Sequence, residues 1–239
     1  MDKLDILVFA AHPDDAELSC SGTIMKHIDL GYKVGIVDLT RGELGTRGSA
    51  EIRAQESAKS SEILGIHIRE NLGFRDGFFE IDEQHLLPII QVIRKYQPEI
   101  ILANAKNDRH PDHKRGGDLV NRAAFLSGLS KIETKLDGKK QEKWRPKTIY
   151  RYIQEQNMMP DFVVDISGFE DKKIETIKAF KSQFYDPNST EPTTPISRED
   201  YLDFVKAKMK LFGGQINVAY GEGFTVERTI GTSNLFDLK

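Results

Sequence analysis

The chain has 239 residues, of which 38% are hydrophobic and 30% are charged, a mixture typical of a globular protein. Its formal net charge of −3 gives no electrostatic reason to expect nucleic acid or an anionic membrane as a partner. Cys20 is the only cysteine, which excludes an intrachain disulfide and a metal site built from several thiolates. Because the start of the chain does not read as a signal peptide and no stretch is long and apolar enough for a bilayer, we predict a cytoplasmic protein.

Apolar runs and helical patterns alternate along the chain. Short apolar runs predict buried strands at residues 6–11, 34–39, 100–103, 149–153 and 162–166. Helical spacing of apolar residues, together with glycine or proline at the ends, predicts helices at 16–30, 51–64, 86–96, 114–125, around 172–182 and at 198–212. The charge-rich segment 131–147 shows no periodicity and is interpreted as an exposed loop.

This alternation predicts a single Rossmann-like α/β domain over residues 1–239, with a mostly parallel sheet and helices on both faces. In open sheets of this kind, ligands bind outside the carboxyl ends of the strands. Two predicted strand ends carry side chains suited to chemistry. Residues 11–15 read Ala-His-Pro-Asp-Asp, and residues 104–113 read Asn-Ala-Lys-Asn-Asp-Arg-His-Pro-Asp-His.

Both strand ends contain the tripeptide His-Pro-Asp, a repetition that is improbable by chance. His12 and Asp15 are three residues apart across a turn that proline makes rigid, and His110 and His113 have the same spacing. Catalytic zinc takes three ligands from imidazole and carboxylate groups and keeps one position for water. The two loops together supply such a set, with a carboxylate and an imidazole left over for proton transfer.

A structural explanation of the same residues is also open. His-Pro and Asp-Asp pairs at strand ends form turns, and Asp14 or Asp15 would cap a helix that starts at residue 16. Asp112 would likewise cap the helix that we predict at 114–125.

Three motifs resemble the signatures of the LmbE/PIG-L family of zinc-dependent N-acetylglucosaminyl deacetylases, and the resemblance runs from the N-terminus to about residue 125. They are Ala11-His12-Pro13-Asp14-Asp15, Thr40-Arg41-Gly42-Glu43 and His110-Pro111-Asp112-His113, with Tyr220-Gly221-Glu222-Gly223-Phe224 similar to a frequent late motif. Within the family the chain most resembles the bacillithiol-biosynthesis (BshB-type) deacetylases. The resemblance implies an N-acetylglucosaminide of malate as the substrate and a homo-oligomer, such as a hexamer, as the assembly.

By this resemblance, His12, Asp15 and His113 bind one Zn²⁺ ion, although Fe²⁺ or Co²⁺ would accept the same ligands. Asp14 is the expected general base, since it adjoins a ligand and its carboxylate remains available for a proton.

His110 is expected to stabilise the oxyanion as an imidazolium or to protonate the departing amine. Asp112 is the group that we expect to orient that imidazole and keep it charged, unless it serves only as the helix cap.

Planar guanidinium groups bind carboxylates with two hydrogen bonds, so Arg53 and Arg109 are candidates for binding the malate part of such a substrate. The glycines at 42, 45 and 48 suit a mobile lid. Further candidates with undecided roles are Arg41 and Glu43, for which we favour a structural role, and Tyr185 and Tyr220, which could line the far wall of a pocket.

Other functions remain compatible with the same residues. The chain could deacetylate another acyl amino sugar, such as an antibiotic glycoside or an inositol conjugate. It could instead bind a sugar or nucleotide without catalysis, although the first strand–helix turn lacks Gly-x-Gly-x-x-Gly and a Walker lysine. A metal phosphoesterase is a third alternative, but it generally needs ligands for two ions, and the obvious set here serves one.

Overall fold

The computed structural model describes residues 3–237, which contain nine strands and six helices. The strands are β1 (Ile6–Ala10), β2 (Val34–Thr40), β3 (Ile68–Phe74), β4 (Ile100–Ala103), β5 (Lys135–Leu136), β6 (Lys139–Lys140), β7 (Thr148–Tyr152), β8 (Phe162–Asp165) and β9 (Gly221–Val226). The helices are α1 (Asp15–Asp29), α2 (Ala50–Leu64), α3 (Glu83–Tyr96), α4 (Pro111–Ser127), α5 (Glu170–Lys178) and α6 (Tyr201–Gln215). A 3-10 turn follows at Leu235–Asp237.

Seven of the strands form one sheet in the order β3-β2-β1-β4-β7-β9-β8. The pairs from β3 to β7 are all parallel, and β9 runs antiparallel to both of its neighbours. The predicted mostly parallel sheet is therefore confirmed. Because β1 lies between β2 and β4, the loops that leave the carboxyl ends of these three strands emerge side by side.

Helices cover both faces of the sheet, as predicted. Alternate side chains of β1 point to opposite faces, so Leu7 and Phe9 pack with α3 and α4, whereas Ile6 and Val8 pack with α1 and the end of α2. A third apolar cluster joins α5 and α6 around Ile166. Since β1 is buried at all five positions, its apolar run identified it correctly as a central strand.

Two sheet strands escaped the sequence prediction. β3 is an edge strand with charged and half-exposed side chains, so it has no continuous apolar run. β9 contains Gly221, Glu222 and Gly223, and these residues have low strand propensity although the strand is almost wholly buried. Segment 131–147, which we expected to be a loop, contains the short β5–β6 hairpin.

The helix ends follow ordinary capping chemistry. Asp82 accepts a hydrogen bond from the backbone N–H of His85 at 3.0 Å, which starts α3 three residues before the predicted position. Gly65, with φ of 72°, ends α2 in the left-handed conformation. Among the described residues, no helix combines the length and the apolar character needed to cross a membrane.

Candidate active site

The loops after β1, β2 and β4 are tied together by hydrogen bonds at the carboxyl edge of the sheet. The side-chain oxygen of Asn104 accepts from the backbone N–H of Ala11 at 2.9 Å, and the hydroxyl of Thr40 donates to the carbonyl of Ala11 at 2.9 Å. These bonds bring the two His-Pro-Asp segments together, although about a hundred residues separate them in the sequence.

Asp15 lies between the two histidines of the predicted ligand set. Its Oδ2 is 3.7 Å from Nδ1 of His12, and its Oδ1 is 3.1 Å from Nε2 of His113. The carboxylate also accepts hydrogen bonds from the backbone N–H of His12 at 3.0 Å, from Asn104 Nδ2 at 2.9 Å and from Gln154 Nε2 at 3.1 Å. All three predicted ligands therefore face one small space, and the carboxylate among them is held in place.

Each of these imidazoles makes a second contact with a carboxylate through its other nitrogen. His12 Nε2 is 3.0 Å from Asp76 Oδ1, and His113 Nδ1 is 2.5 Å from Asp108 Oδ2. A carboxylate in this position fixes the tautomer and orientation of a metal-binding histidine and makes the ring more basic. The arrangement directs Nδ1 of His12 and Nε2 of His113 towards Asp15.

The same cluster offers other groupings of possible ligand atoms. Nitrogens of His12, His110 and His113 lie within 4.8 Å of one another, and so do ligand atoms of His12, Asp76 and Asp112. Imidazole and carboxylate donors in a buried cluster fit a divalent transition metal such as zinc. The described residues thus contain a candidate metal site centred on His12.

The electrostatics of the cluster favour a cation. Burial alone would lower the pKa of His12, but hydrogen bonds to Asp112 and Asp76 raise it to about 9. Burial also lowers the pKa of His113, but contacts with Asp15 and Asp108 outweigh burial and raise that pKa to about 10. Burial opposes the change, but the combined charges and hydrogen bonds of His113 and His12 hold the pKa of Asp15 well below its usual range. The acidic side chains therefore hold positive charge at this position, and a metal ion would replace protons.

Asp14 has a strained backbone and a buried carboxyl group. Its φ of 114° lies in the region that residues with a side chain rarely adopt, and such strain occurs most often at functional sites. Its side chain does not cap α1, so the structural explanation does not account for it. Instead Oδ2 lies 3.1 Å from the guanidinium of Arg53. Burial raises the pKa of Asp14 to about 7, and the charge of Arg53 opposes that rise.

Arg53 is fixed by backbone oxygens as well as by Asp14. Its guanidinium donates to the carbonyl of Pro13 and, at 3.4 Å, to that of Gly42. A Cβ atom at residue 42 would lie 1.9 Å from Arg53 Nη1, so any side chain there would clash with the guanidinium in this position.

His110 lies half-buried beside the other two histidines, with ring-centroid distances of 4.7 Å to His12 and 5.0 Å to His113. Its Nδ1 accepts from the backbone N–H of Asp112 at 3.3 Å. Burial, followed by the positive charges of His12 and His113, lowers the pKa of His110. A neutral ring with Nδ1 accepting carries its proton on Nε2. This differs from the imidazolium that we expected from the sequence.

The Asp112 carboxylate makes different contacts from those that the sequence suggested. Its Oδ2 accepts from the backbone N–H of Gly77 at 2.8 Å and lies 3.5 Å from His12 Nε2, and its Oδ1 accepts from Arg115 at 3.1 Å. The cap of α4 is His110. The carboxylate therefore faces His12, and only the backbone of Asp112 contacts His110.

The cluster lines a cavity of about 400 Å³, a size typical of small-molecule sites. Helix α6 contributes several of the apolar residues in the rest of the lining. The apolar lining comprises Leu18, Ile153, Ile196, Tyr201, Phe204, Val205, Met209 and Phe212. Leu44, Gly45 and Thr46 of the glycine-containing loop form part of the wall.

The two arginines that we predicted to bind substrate differ in their burial and in their carboxylate partners. Arg53 and Arg109 both line the cavity. Arg109 makes a two-point ion pair with Glu155, at 2.6 and 2.9 Å, and its side chain is 53% exposed. In the described part of the chain, Tyr185 and Tyr220 are absent from the cavity lining, so the suggestion that they form its wall was wrong.

In the Thr-Arg-Gly-Glu segment, the contacts of Glu43 fit the structural role that we favoured, whereas the role of Arg41 stays undecided. Glu43 accepts from the backbone N–H of Asp76 at 2.8 Å and so positions the loop that carries the carboxylate facing His12. Arg41 is exposed and lines a second, smaller groove beside α2. The loop is anchored by the buried guanidinium of Arg47, which donates to the carbonyl of Ser182 at 2.8 Å.

Sequence reasoning missed four residues that contact the predicted ligands, Asp76, Asn104, Asp108 and Gln154, and it also missed Tyr201, which lines the cavity. Asp76 follows β3, a strand that was itself missed. Asn104 and Asp108 do lie in the polar segment after β4, where the strand-end rule would have flagged them. Gln154 and Tyr201 had no motif to mark them.

The chain is similar to known de-N-acetylases. The family model described as PIG-L, GlcNAc-PI de-N-acetylase, matches residues 7–124. The diacetylchitobiose deacetylase of Thermococcus kodakarensis is 30% identical over 198 residues, which cover 77% of this chain and 71% of that protein.

Two further matches extend over most of both chains. A Bacillus anthracis protein named "Probable N-acetyl-alpha-D-glucosaminyl L-malate deacetylase 2" is 27% identical over 224 residues, which cover 82% of this chain and 93% of that one. The crystal structure of a conserved protein from Thermus thermophilus has 34% identity and a TM-score of 0.85, and the match covers 96% of this chain and 97% of that one.

Proposed function

Because the chain belongs to the PIG-L family of de-N-acetylases, we propose that it hydrolyses the N-acetyl group of a glucosaminide at a metal site formed by His12, Asp15 and His113. Deacetylation of an N-acetylglucosamine-type substrate is the activity that the family description and the named relatives share. The chain is accordingly a hydrolase that acts on N-acetyl groups.

One observation carries the assignment of the metal ligands. In both His12 and His113 the nitrogen that points away from Asp15 contacts a carboxylate, at 3.0 Å from Asp76 and 2.5 Å from Asp108. The alternative grouping of His12 with Asp76 and Asp112 would use that orienting carboxylate as a ligand. Zn²⁺ is the ion that we propose, with Fe²⁺ or Co²⁺ as alternatives that accept the same donors. A zinc ion in this site would supply Lewis acidity to the amide carbonyl and lower the pKa of water.

Asp14 is proposed as the general base. Its carboxyl group adjoins the ligand Asp15 but is turned towards Arg53, at 3.1 Å, and lines the cavity. A pKa raised to about 7 by burial suits a group that must take a proton at neutral pH and release it in the same turnover. Attack of water forms the new C–O bond, and the proton accepted by Asp14 passes to the departing amine as the C–N bond breaks.

His110 is proposed to stabilise the oxyanion. Because its Nδ1 accepts from the backbone at 3.3 Å and its pKa is lowered, the ring has a donor Nε2–H at the cavity. A fixed hydrogen-bond donor at the carbonyl oxygen stabilises the charge that develops there. Asp112, through its contact with His12, is proposed as a positioning residue for the metal site.

The finer proposal is that the substrate is the N-acetylglucosaminide of malate, as in bacillithiol biosynthesis. The Bacillus anthracis relative, which is named for this substrate and matches over most of both chains, supports it. The alternatives are another acyl amino-sugar conjugate or a sugar-binding module without catalysis.

Acetate release from synthetic N-acetylglucosaminyl malate tests the proposal. We expect purified protein to release acetate, to lose that activity on chelation, and to regain it on addition of one equivalent of Zn²⁺ per chain. A panel with diacetylchitobiose and an inositol conjugate distinguishes among acyl amino sugars. Saturable sugar binding by metal-loaded protein without acetate release from any of them would overturn the proposal in favour of a binding module.

A further inference from the structure

Four lysine and arginine side chains line the cavity: Arg53, Arg109, Lys173 and Lys208. The first three each have a carboxylate partner. Arg53 contacts Asp14 at 3.1 Å, Arg109 contacts Glu155, and Lys173 contacts Glu222 at 2.6 Å. In the part of the chain that the structure describes, Lys208 is the cation of this cavity that has no ion pair.

Among residues 3–237, the ammonium group of Lys208 makes one hydrogen bond, to the backbone carbonyl of Ile153 at 3.2 Å. Its other contact is with the face of Phe212, whose ring centre lies 5.9 Å away. An ammonium group has three N–H donors, so two remain available. Three residues within one turn of Lys208 on α6, Val205, Met209 and Phe212, contribute apolar side chains to the same cavity.

This environment is costly for a charge. Burial, followed by the positive charge of Lys173, lowers the pKa of Lys208 to about 8, although the carboxylates of Asp108, Glu155 and Glu222 oppose the change. A cation kept in a partly apolar pocket without a counter-ion is destabilising unless a ligand supplies the opposite charge. The carbonyl that accepts from Lys208 belongs to Ile153. The next residue, Gln154, donates from its side-chain amide to the carboxylate of Asp15 at 3.1 Å. The unpaired charge is therefore close to the proposed metal ligands.

We infer that Lys208 binds a carboxylate of the aglycone and thereby makes glucosaminides with an acidic aglycone the preferred substrates. This inference depends on the proposed deacetylase function. It assigns to Lys208 the role that the sequence suggested for Arg53 and Arg109, both of which are already paired with carboxylates of the chain. Part of the aglycone would lie against the apolar residues of α6, and its acidic group would meet the two free donors.

The test compares two substrates that share the acetylated sugar: N-acetylglucosaminyl malate and methyl N-acetylglucosaminide, which is neutral. For Lys208→Met we expect the ratio of kcat/KM for the malate conjugate to that for the methyl glycoside to fall by roughly 10- to 100-fold, chiefly through KM. Lys208→Arg, which keeps the charge, should restore most of the ratio. Lys210→Met, an exposed lysine on the same helix, is the matched control and should leave the ratio at its wild-type value.

A pH series provides a second readout. In the wild type, KM for the malate conjugate should rise as pH increases through about 8, because the ammonium group loses its charge there. In Lys208→Arg, that rise should move to higher pH, whereas KM for the methyl glycoside should show no such displacement. Circular dichroism of each variant establishes that it has folded.

The outcomes separate the two proposals. If the wild type releases acetate from neither substrate, the proposed function fails. If the wild type hydrolyses both, and Lys208→Met changes the two kcat/KM values equally or not at all, the role of Lys208 is overturned while the deacetylase function stands.

Discussion

The guanidinium of Arg53 and the carboxylate of Asp14 lie 3.1 Å apart, and both side chains are almost wholly buried. Residues 39 positions apart in the sequence thus form one ion pair beside the proposed metal site. The contact suits Arg53 to position the proposed base and to tune its pKa, and the same guanidinium would lie 1.9 Å from a Cβ atom at residue 42.

Substitution of Arg53 by methionine should shift the pH profile of the enzyme. Burial raises the pKa of Asp14 to about 7, and the charge of Arg53 opposes it, so removal of that charge raises the pKa further. A base acts when deprotonated, so activity falls as pH drops through its pKa. We therefore expect the acidic limb of kcat/KM for methyl N-acetylglucosaminide to move to higher pH.

The conservative variant Arg53→Lys should show a smaller shift, since it keeps the charge. If Arg53→Met instead leaves the profile in place and raises KM for acidic substrates alone, Arg53 binds the substrate and does not tune Asp14.

Asp14→Asn should separate catalysis from metal binding. The amide is nearly the same size but cannot accept the proton, so kcat should fall by about 10²–10⁴-fold while the bound metal remains. The test measures kcat for each variant and, by elemental analysis, its metal content. Asp15→Asn is the matched variant and should lose metal. The reverse pattern would exchange the roles of Asp14 and Asp15.

Asp108→Asn should weaken metal binding although Asp108 is not a proposed ligand. Its carboxylate contacts His113 Nδ1 at 2.5 Å and orients the opposite nitrogen towards Asp15. Loss of such a contact typically lowers metal affinity by about 10- to 100-fold. Competition with a chromophoric chelator measures the affinity, and Asp203→Asn on an exposed part of α6 serves as the control. Unchanged affinity would mean that the contact does not support a metal ligand.

The buried pair of Lys173 and Glu222 should matter for stability. Its atoms lie 2.6 Å apart, and Glu222 also accepts from the backbone N–H groups of Gly22 at 3.0 Å and Thr23 at 2.7 Å. Lys173→Met leaves a buried carboxylate without its cation, so the free energy of unfolding should fall by about 3–5 kcal/mol.

Urea denaturation measures that loss. The double variant Lys173→Met/Glu222→Gln removes both charges and should recover part of it. If the double variant is no more stable than the single one, the loss comes from packing and not from the unpaired charge.

Most of the sheet and the location of the candidate site could be predicted from local patterns in the amino-acid sequence. The apolar runs of β1, β2 and β4 are local signals, because a strand buried on both faces needs an apolar side chain at nearly every position. The two His-Pro-Asp segments follow β1 and β4, and parallel neighbours bring their carboxyl ends together. The proposed ligands His12, Asp15 and His113 could therefore be named from the sequence, helped by the family resemblance.

The partner of each side chain became known from the folded chain alone. Asp76 reaches His12 from a loop 64 residues away, and Lys208 lies in the same cavity although no motif marks it. Such contacts depend on how the chain crosses from strand to strand, and the residues next to a side chain in the sequence do not predict those crossings. The charge of Arg53 is evident from the sequence, but its ion pair with Asp14 is evident only in the folded chain, where both side chains are buried side by side.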